Sequence, residues 1–238
     1  MSQETVKKKL VVFTGAGISQ ESGIKTFRDE DGTWDEYNVD EVATLDGWRR
    51  DRQKVLDFYN KRKSELNTVG PNQAHILLAE LEQHFDVTII TQNVDDLHER
   101  AGSTNILHLH GQLTLMCSSN NKRLTLPYDK DIKIGDKHED GSQLRPFIVW
   151  FGEDVPLIVD AQEIVMKADI FVVVGTSLEV WPANNLVKYT YKADELIIID
   201  KKIKSDLPAM QYFEKIQAPA TIGVEKLKEM LINKYIKE

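Results

Sequence analysis

The sequence predicts an α/β fold: a parallel sheet with helices on both faces, plus a small domain formed by inserts. Three observations predict it. Apolar, β-branched runs stand at 10–13 (LVVF), 87–90 (VTII), 170–174 (IFVVV) and 196–199 (LIII), nearly continuous rather than alternating. Such runs are buried on both faces, the mark of parallel strands covered by helices. Each run ends in small or polar residues, TGAGIS, TQN, GTS and DKK, and in open α/β sheets ligands bind at the carboxyl ends of the strands. Between the runs lie helical periods, Ala74, Leu77, Leu78, Leu81 and Phe85, and later Val224, Leu227, Leu231 and Tyr235.

The chain has 238 residues, 41% hydrophobic and 29% charged, which excludes a disordered chain, a collagen and a coiled coil. No apolar run approaches the ~18 residues of a membrane helix, and the LVVF run is too short for a signal-peptide core. The single cysteine, Cys117, excludes an internal disulfide and fits a reducing compartment. A net charge of −8 argues against nucleic acid as a partner, because phosphate contacts need Lys and Arg patches. Small molecules or Lys-bearing proteins are the expected partners.

Taken in order, the first strand leads into Gly15, Ala16, Gly17, Ile18 and Ser19, then Ser22 and Gly23. Glycines let backbone N–H groups approach an anion, and a following helix N-terminus adds favourable dipole. Gln20 stands where a strict G-x-G-x-x-G has its third glycine, so a tight turn without a ligand is an equal reading. The loop that follows, with Thr26, Phe27 and Arg28 before Trp34, reads as a lid; alternatively Phe27 is a core anchor and Arg28 an ion-pair partner.

The second strand ends in Gln92, Asn93 and Asp95, groups able to bind a ribose or a carboxamide, with helix capping as the alternative for Asp95. His108 and His110 alternate in HLHG, so they share a strand face unless the turn at Gly111 displaces one. A histidine is the usual general base, and more often a satisfied structural group. Tyr59 and Arg62, three apart, share a face of a helix in QKVLDFYNKRKSEL; the plain reading is that Tyr59 continues the face of Val55 and Leu56 while Arg62 is solvated. Pro182 sits near a helix start. The polar stretch from 117 to 144 reads as a loop-rich insert.

Together, GAGIS..SGI.TFR...G.W, TQNVD.LH..AG, HLHG, LRP..VWFGE and GTSLEV.PA, in this order, resemble the sirtuin family of NAD-dependent protein deacylases over almost the whole chain. The resemblance implies a Rossmann-like core over about 1–35, 75–112 and 148–238, and a small domain from inserts at about 36–74 and 113–147. It implies NAD as co-substrate. The segment from Gly15 to Trp34, including Ala16, Gly17, Ser19, Ile24, Phe27 and Arg28, would wrap the pyrophosphate and cover the nicotinamide. Gln92, Asn93, Val94 and Asp95 would line the nicotinamide and ribose pocket. Gly175, Thr176 and Ser177 would hold the adenosine ribose side, and Asp200, Lys201 and Ala220 would lie near the adenosine. Asp200 stands where family members often carry Asn.

The implied reaction is acyl transfer. The acyl-lysine oxygen displaces nicotinamide, His110 deprotonates a ribose hydroxyl, and lysine and O-acyl-ADP-ribose result, with Asn93 also at the reacting centre. Val149, Phe151 and Gly152 of VWFGE, with Glu179 and Val180, would clamp the acyl-lysine peptide as an added strand. The subgroup preferring acidic acyl groups carries Tyr-x-x-Arg and a small residue in a VAT-type sequence; here Tyr59, Arg62 and Ala43 match. Succinyl, malonyl or glutaryl groups are therefore expected over acetyl.

Most sirtuins carry two CxxC pairs for a structural zinc. Cys117 and Asn120 stand at the first, and residues near Lys137 and Asp140 at the second, with His138 close by. No zinc and a degenerate zinc module are expected. A monomer in a bacterial-type cytoplasm, with neither membrane nor nucleic-acid partners, completes the expectation. The rivals are an NAD glycohydrolase or ADP-ribosyltransferase, and a non-catalytic NAD or ADP-ribose sensor.

Overall fold

A computed structural model of the chain describes residues 7–26, 33–203 and 211–236. Its main sheet has six strands: β1 (Lys9–Thr14), β2 (Asp86–Thr91), β3 (Ile106–His108), β7 (Ile170–Val174), β8 (Glu195–Asp200) and β9 (Glu214–Gln217). The order is β3-β2-β1-β7-β8-β9 and every pairing is parallel. A second sheet, β5-β4-β6, is antiparallel and built from β4 (Gly111–Ser118), β5 (Thr125–Pro127) and β6 (Leu144–Ile148).

The four apolar runs form the centre of the large sheet. Each is buried on both faces, β7 completely. One face packs on α6 (Gln73–Glu80) and α9 (Ala220–Tyr235), in a core of Leu78, Leu81, Val224 and Leu227 against Leu10, Val12, Val172, Ile197 and Ile199. The other packs on α8 (Ile158–Val165) and a 3-10 helix at Ala183–Tyr189. At roughly 25 cal/mol per Å² of apolar surface, burial of these large aliphatic side chains is the dominant favourable term.

The strand order reverses direction of growth at β1, which lies between β2 and β7. That switch point opens a crevice at the carboxyl ends of the strands. Pro182 caps the 3-10 helix, as its spacing predicts.

The stretch at 117–144 departs from the sequence reading. Instead of loops alone it contributes β5 and the ends of β4 and β6. Its short strands alternate weakly, and β5 is exposed throughout, so no apolar period marks them. The edge strand β9, EKIQ, also escapes the pattern, because only Ile216 among its residues is buried.

The helices α3 (Val39–Val42), α4 (Leu45–Arg50) and α5 (Arg52–Leu66) pack on the small sheet. Val55, Leu56, Phe58 and Tyr59 share one core with Leu113, Tyr128, Ile148 and Trp150. Within it, Arg145 lies 3.3 Å over the Trp150 ring and makes a two-pronged ion pair with Glu153, at 3.0 and 3.2 Å. Among the described residues no helix is long and apolar enough to cross a membrane.

Candidate active site

The site begins where two strand-end turns meet. Gly17, in α1 (Ala16–Ser19), donates its N–H to the Gly175 carbonyl at 2.8 Å, and Gly15 donates to Val174 at 3.0 Å. A Cβ on Gly17 would stand 2.7 Å from Gly175 Cα, and Gly175 itself has φ +63, which favours glycine. The glycines are thus explained by backbone contact between the two turns. The Gly15 and Gly17 amides themselves are taken by main-chain carbonyls, the tight-turn alternative for these two glycines.

A cleft of about 1520 Å³ opens above these turns. Among its lining residues are Ala16, Gly17, Gly175, Thr176, Ser177, Asp200, Lys201 and Ala220, at and beside the two turns. Here Lys201 Nζ donates to Gln20 Oε1 at 2.8 Å and Asp200 accepts from the Lys202 amide at 2.9 Å. Its centre is lined by Gln92, Asn93, Val94 and His110. Its far end is lined by Ala43, Tyr59, Arg62, Val149, Phe151, Gly152, Glu179 and Val180.

Four expected residues lie elsewhere. Ser19, Ile24 and Asp95 line a smaller cavity of about 350 Å³, which shares Ala16, Phe58, Arg62, Asn93, Val94 and Leu113 with the cleft. Gly15 lines neither. Phe27 and Arg28 lie outside the described residues; Trp34 falls in α2 (Thr33–Glu36).

Polar contacts fix the central residues. His110 Nδ1–H donates to the Gln92 carbonyl at 3.1 Å, which places the ring proton on Nδ1 and leaves the Nε2 lone pair as the basic site. Burial lowers the His110 pKa below its ordinary value and the Gln92 bond only partly offsets this, so the ring is neutral at pH 7. The Thr176 hydroxyl donates to Gln92 Oε1 at 2.8 Å, while Gln92 Nε2 is buried without a partner among the described residues. Asn93 is buried and its amide donates to the Gly15 carbonyl and to Ser19 Oγ, both at 3.1 Å. Ser19 Oγ donates in turn to Asp95 Oδ2 at 3.0 Å. Asp95 also accepts from the Leu97 amide, the first of α7 (Leu97–Ala101), at 3.2 Å, although the N-cap position itself is Asp96 and makes no side-chain cap bond; burial raises the Asp95 pKa.

The two histidines of HLHG take neighbouring carbonyls. His110 holds that of Gln92; His108, the last residue of β3, holds that of Asn93 at 3.2 Å and reaches Glu99 Oε1 at 2.6 Å.

At the far end, Tyr59 Oη accepts from Trp150 Nε1 at 3.0 Å, and the described residues offer no acceptor for its own O–H, which remains to donate. Burial pushes its pKa up, so the phenol is neutral. Arg62 Nη1 donates to Thr33 Oγ1 at 3.0 Å, and its charge lies 6.0 Å from the Phe58 ring. Burial is the largest influence on Arg62 and lowers its pKa, with the Glu65 carboxylate opposing. The VWFGE segment is pinned from one side: Val149 donates to the His110 carbonyl and Phe151 to the Ala43 carbonyl, both at 2.9 Å. Sequence reasoning missed Phe58, Leu113, Ile148 and Trp150 in the cleft wall. The first three carry only core-type signals; for Trp150 the signal was its place inside the VWFGE motif.

A four-thiolate zinc site does not fit this chain. It has one cysteine, whose Sγ is buried 3.9 Å from the Pro146 carbonyl. Among the described residues no three His, Cys, Asp or Glu side chains converge to hold a metal. The same place carries a hydrogen-bonded clasp. Ser118 Oγ donates to Asp140 Oδ2 at 2.5 Å, lies 2.7 Å from Ser142 Oγ, and accepts from the Asn120 and Asn121 amides at 3.1 Å. The Ser118 and Ser142 bonds hold Asp140 down at a pKa of about 2.

Comparisons with known proteins agree over nearly the full length. The family model described as the Sir2 family matches residues 15–182. A protein of Bacteroides thetaiotaomicron named NAD-dependent protein deacylase is 53% identical over 232 residues, covering 94% of this chain and 98% of its own. A solved complex of a Sir2 homologue mutant with ADP-ribose superposes with a TM-score of 0.87 at 35% identity, covering 98% of this chain and 95% of that one. Another, of a Sir2 mutant with a deacetylated p53 peptide and 3'-O-acetyl ADP-ribose, gives a TM-score of 0.77 at 27% identity, over 96% of this chain and 94% of that one. With the switch-point cleft and its paired glycine turns, these matches establish that the chain belongs to the Sir2 family.

Proposed function

We propose that the protein is an NAD-dependent protein-lysine deacylase that favours succinyl, malonyl or glutaryl groups over acetyl. The observation that carries this reading is a single cleft holding a neutral histidine with its Nε2 free of the tautomer-fixing bond, and, at the far end, Tyr59 and Arg62 beside Ala43. The similar proteins support the cofactor and reaction: one is named for NAD-dependent deacylation, one holds ADP-ribose, and one holds a deacetylated peptide with an acetyl ADP-ribose.

NAD fits the cleft by size and by chemistry. The part beside the two turns offers Thr176, Ser177, Asp200 and Lys201 for hydroxyl and phosphate oxygens, and the buried Gln92 Nε2 lacks a partner that a bound polar group would supply. The residues then divide the work. His110 Nε2 takes a proton from a ribose hydroxyl, the general-base step that requires a neutral imidazole. Asn93 lines the same cleft, its side-chain nitrogen held by Gly15 and Ser19. The walls exclude water and protect the reacting centre from hydrolysis.

At the acyl end, Ala43 is small and leaves length for a longer chain. The Tyr59 O–H and the Arg62 guanidinium are donors for a terminal carboxylate, and a desolvated guanidinium gains from an incoming anion. The peptide carrying the acyl-lysine would lie between the VWFGE segment and Glu179–Val180 as an added strand, both segments lining the cleft. Zinc has no part in this reading.

The test is turnover of matched acetyl-, succinyl-, malonyl- and glutaryl-lysine peptides with NAD, read by mass spectrometry. Acidic acyl groups should turn over best, yielding nicotinamide and the O-acyl-ADP-ribose. Preference for acetyl would remove the acidic-pocket reading and leave the deacylase; NAD loss at the same rate without peptide would favour a glycohydrolase.

A further inference from the structure

Asn93 is held at the reacting centre by its side chain, but its main chain is held from behind by a residue the reaction does not touch. His108 Nδ1 lies 3.2 Å from the Asn93 carbonyl and Nε2 lies 2.6 Å from Glu99 Oε1. The ring thus bridges a main-chain carbonyl on one side and a carboxylate on the other. The His108 side chain is 8% exposed and that of Glu99 37%, so the contact with Asn93 is shielded while the carboxylate reaches solvent. Asp95, the Glu99 partner and the buried His98 ring are the titratable groups that face the His108 ring. On Glu99, burial acts upward, but the hydrogen bond and charge of His108 outweigh it and hold the carboxyl below its ordinary value.

The neighbouring peptide groups are secured as tightly. The Asn93 amide donates to Thr91 Oγ1 at 3.0 Å, the Leu109 amide to the Thr91 carbonyl at 2.9 Å, and the Leu113 amide to the Val94 carbonyl at 2.7 Å. The Gln92 carbonyl carries His110. Of the carbonyls from Thr91 to Val94, that of Asn93 is the one held by a side chain that is itself tied to a carboxylate. Freeing it would let the Asn93 peptide rotate, and with it the amide that bridges Gly15 and Ser19.

We propose that His108, clamped by Glu99, is a positioning residue for the deacylation reaction: it fixes the Asn93 main chain so that the Asn93 side chain and the carbonyl-borne His110 stand in working register. This rests on the deacylase reading. Glu99 sets the orientation of the ring, much as an outer partner orients a ligating histidine. Neither residue lines the cleft, so neither contributes to binding NAD or the peptide.

The experiment compares Glu99→Ala, Glu99→Gln and His108→Ala with the unaltered full chain, using NAD and the acyl peptide that it turns over best. Both alanine variants should lower kcat on the order of 100-fold while KM for NAD and peptide stays within about threefold, the signature of lost register rather than lost binding. Glu99→Gln should recover most of kcat, because its side-chain amide can still hydrogen-bond the His108 ring and hold its orientation. The two alanine changes together should cost no more than either alone, since they break one unit. Circular dichroism and calorimetric NAD stoichiometry report the folded fraction. If His108→Ala does not fold, the partly exposed Glu99→Ala carries the test.

Unchanged kcat in folded Glu99→Ala, or additive losses in the double variant, would overturn the proposal while leaving the deacylase reading intact. Equal losses in Glu99→Ala and Glu99→Gln would overturn the clamp. An unaltered chain that binds NAD but deacylates no peptide would overturn both readings together.

Discussion

Gly17 and Gly175 meet backbone to backbone, the amide of the first donating to the carbonyl of the second at 2.8 Å. The contact joins the turns that follow β1 and β7, the two strands flanking the crevice, and so forms the floor of the cleft. A methyl group on Gly17 would come within 2.7 Å of Gly175 Cα and 2.9 Å of its carbonyl oxygen, both rigid main-chain atoms. Gly17→Ala should therefore cost about 1–3 kcal/mol of stability by overpacking. It should also weaken NAD binding, because the turns move apart. Thermal unfolding and calorimetric NAD titration check the two effects; unaltered Tm and affinity would mean the turns separate freely.

The tautomer of His110 gives a pH prediction. Its pKa is lowered by burial, so the neutral, proton-accepting ring persists below the ordinary histidine value of about 6.5. Activity that needs the neutral base is present above the lowered pKa and lost as pH falls through it. The acid limb of the kcat profile should then have its midpoint below about 6.5. His110→Ala should reduce turnover by at least about 100-fold with NAD binding retained. A limb at or above the ordinary value would show that another group governs it.

Arg62→Met keeps the length of the side chain and removes the charge. Loss of a charge-assisted pair in a largely buried pocket should reduce kcat/KM for succinyl-lysine by about 1.5–3 kcal/mol, roughly tenfold or more, and spare acetyl-lysine. Tyr59→Phe should act in the same direction through the lost O–H donor. It also removes the acceptor of Trp150 Nε1, so its effect includes a shift of the cleft wall.

Ser118→Ala tests the clasp that stands where zinc knuckles would be expected. The buried hydroxyl accepts two main-chain amides and donates to Asp140, so its loss removes three hydrogen bonds, each worth about 0.5–1.5 kcal/mol at most because the two Asn amides lie on exposed residues that water can reach. Elemental analysis of the purified protein should find no stoichiometric zinc, and chelators should leave Tm unchanged. Because Asp140 is held at a pKa of about 2, its share of the stability is present above the ordinary Asp value and is lost only as pH falls toward 2.

What the sequence made legible follows from which forces act locally. The four central strands were readable because burial on both faces demands unbroken apolar runs, and β7 falls on its run residue for residue. The amphipathic helices α6 and α9 show their buried faces in the same way. The small sheet was illegible, because its strands are short and its stability comes from partners far along the chain. Trp150, for one, is held by Tyr59, 91 positions away. In the site, HLHG placed two histidines together, but not that His110 would sit on the Gln92 carbonyl and His108 on that of Asn93. That depends on the parallel register in which Thr91 stands beside His108. The glycine turn was readable as special, while its reason, contact with the distant Gly175, belongs to tertiary packing.

The lone cysteine has one more consequence. Cys117 is fully buried and its thiol is pushed up to about 11, chiefly by desolvation, so almost none of it is thiolate at neutral pH. Alkylating agents, peroxide and disulfide exchange act on thiolates, and this protein presents them with none at its surface. A clasp assembled from serine hydroxyls and a carboxylate rather than from thiolates gives thiol-directed reagents no structural bond to break.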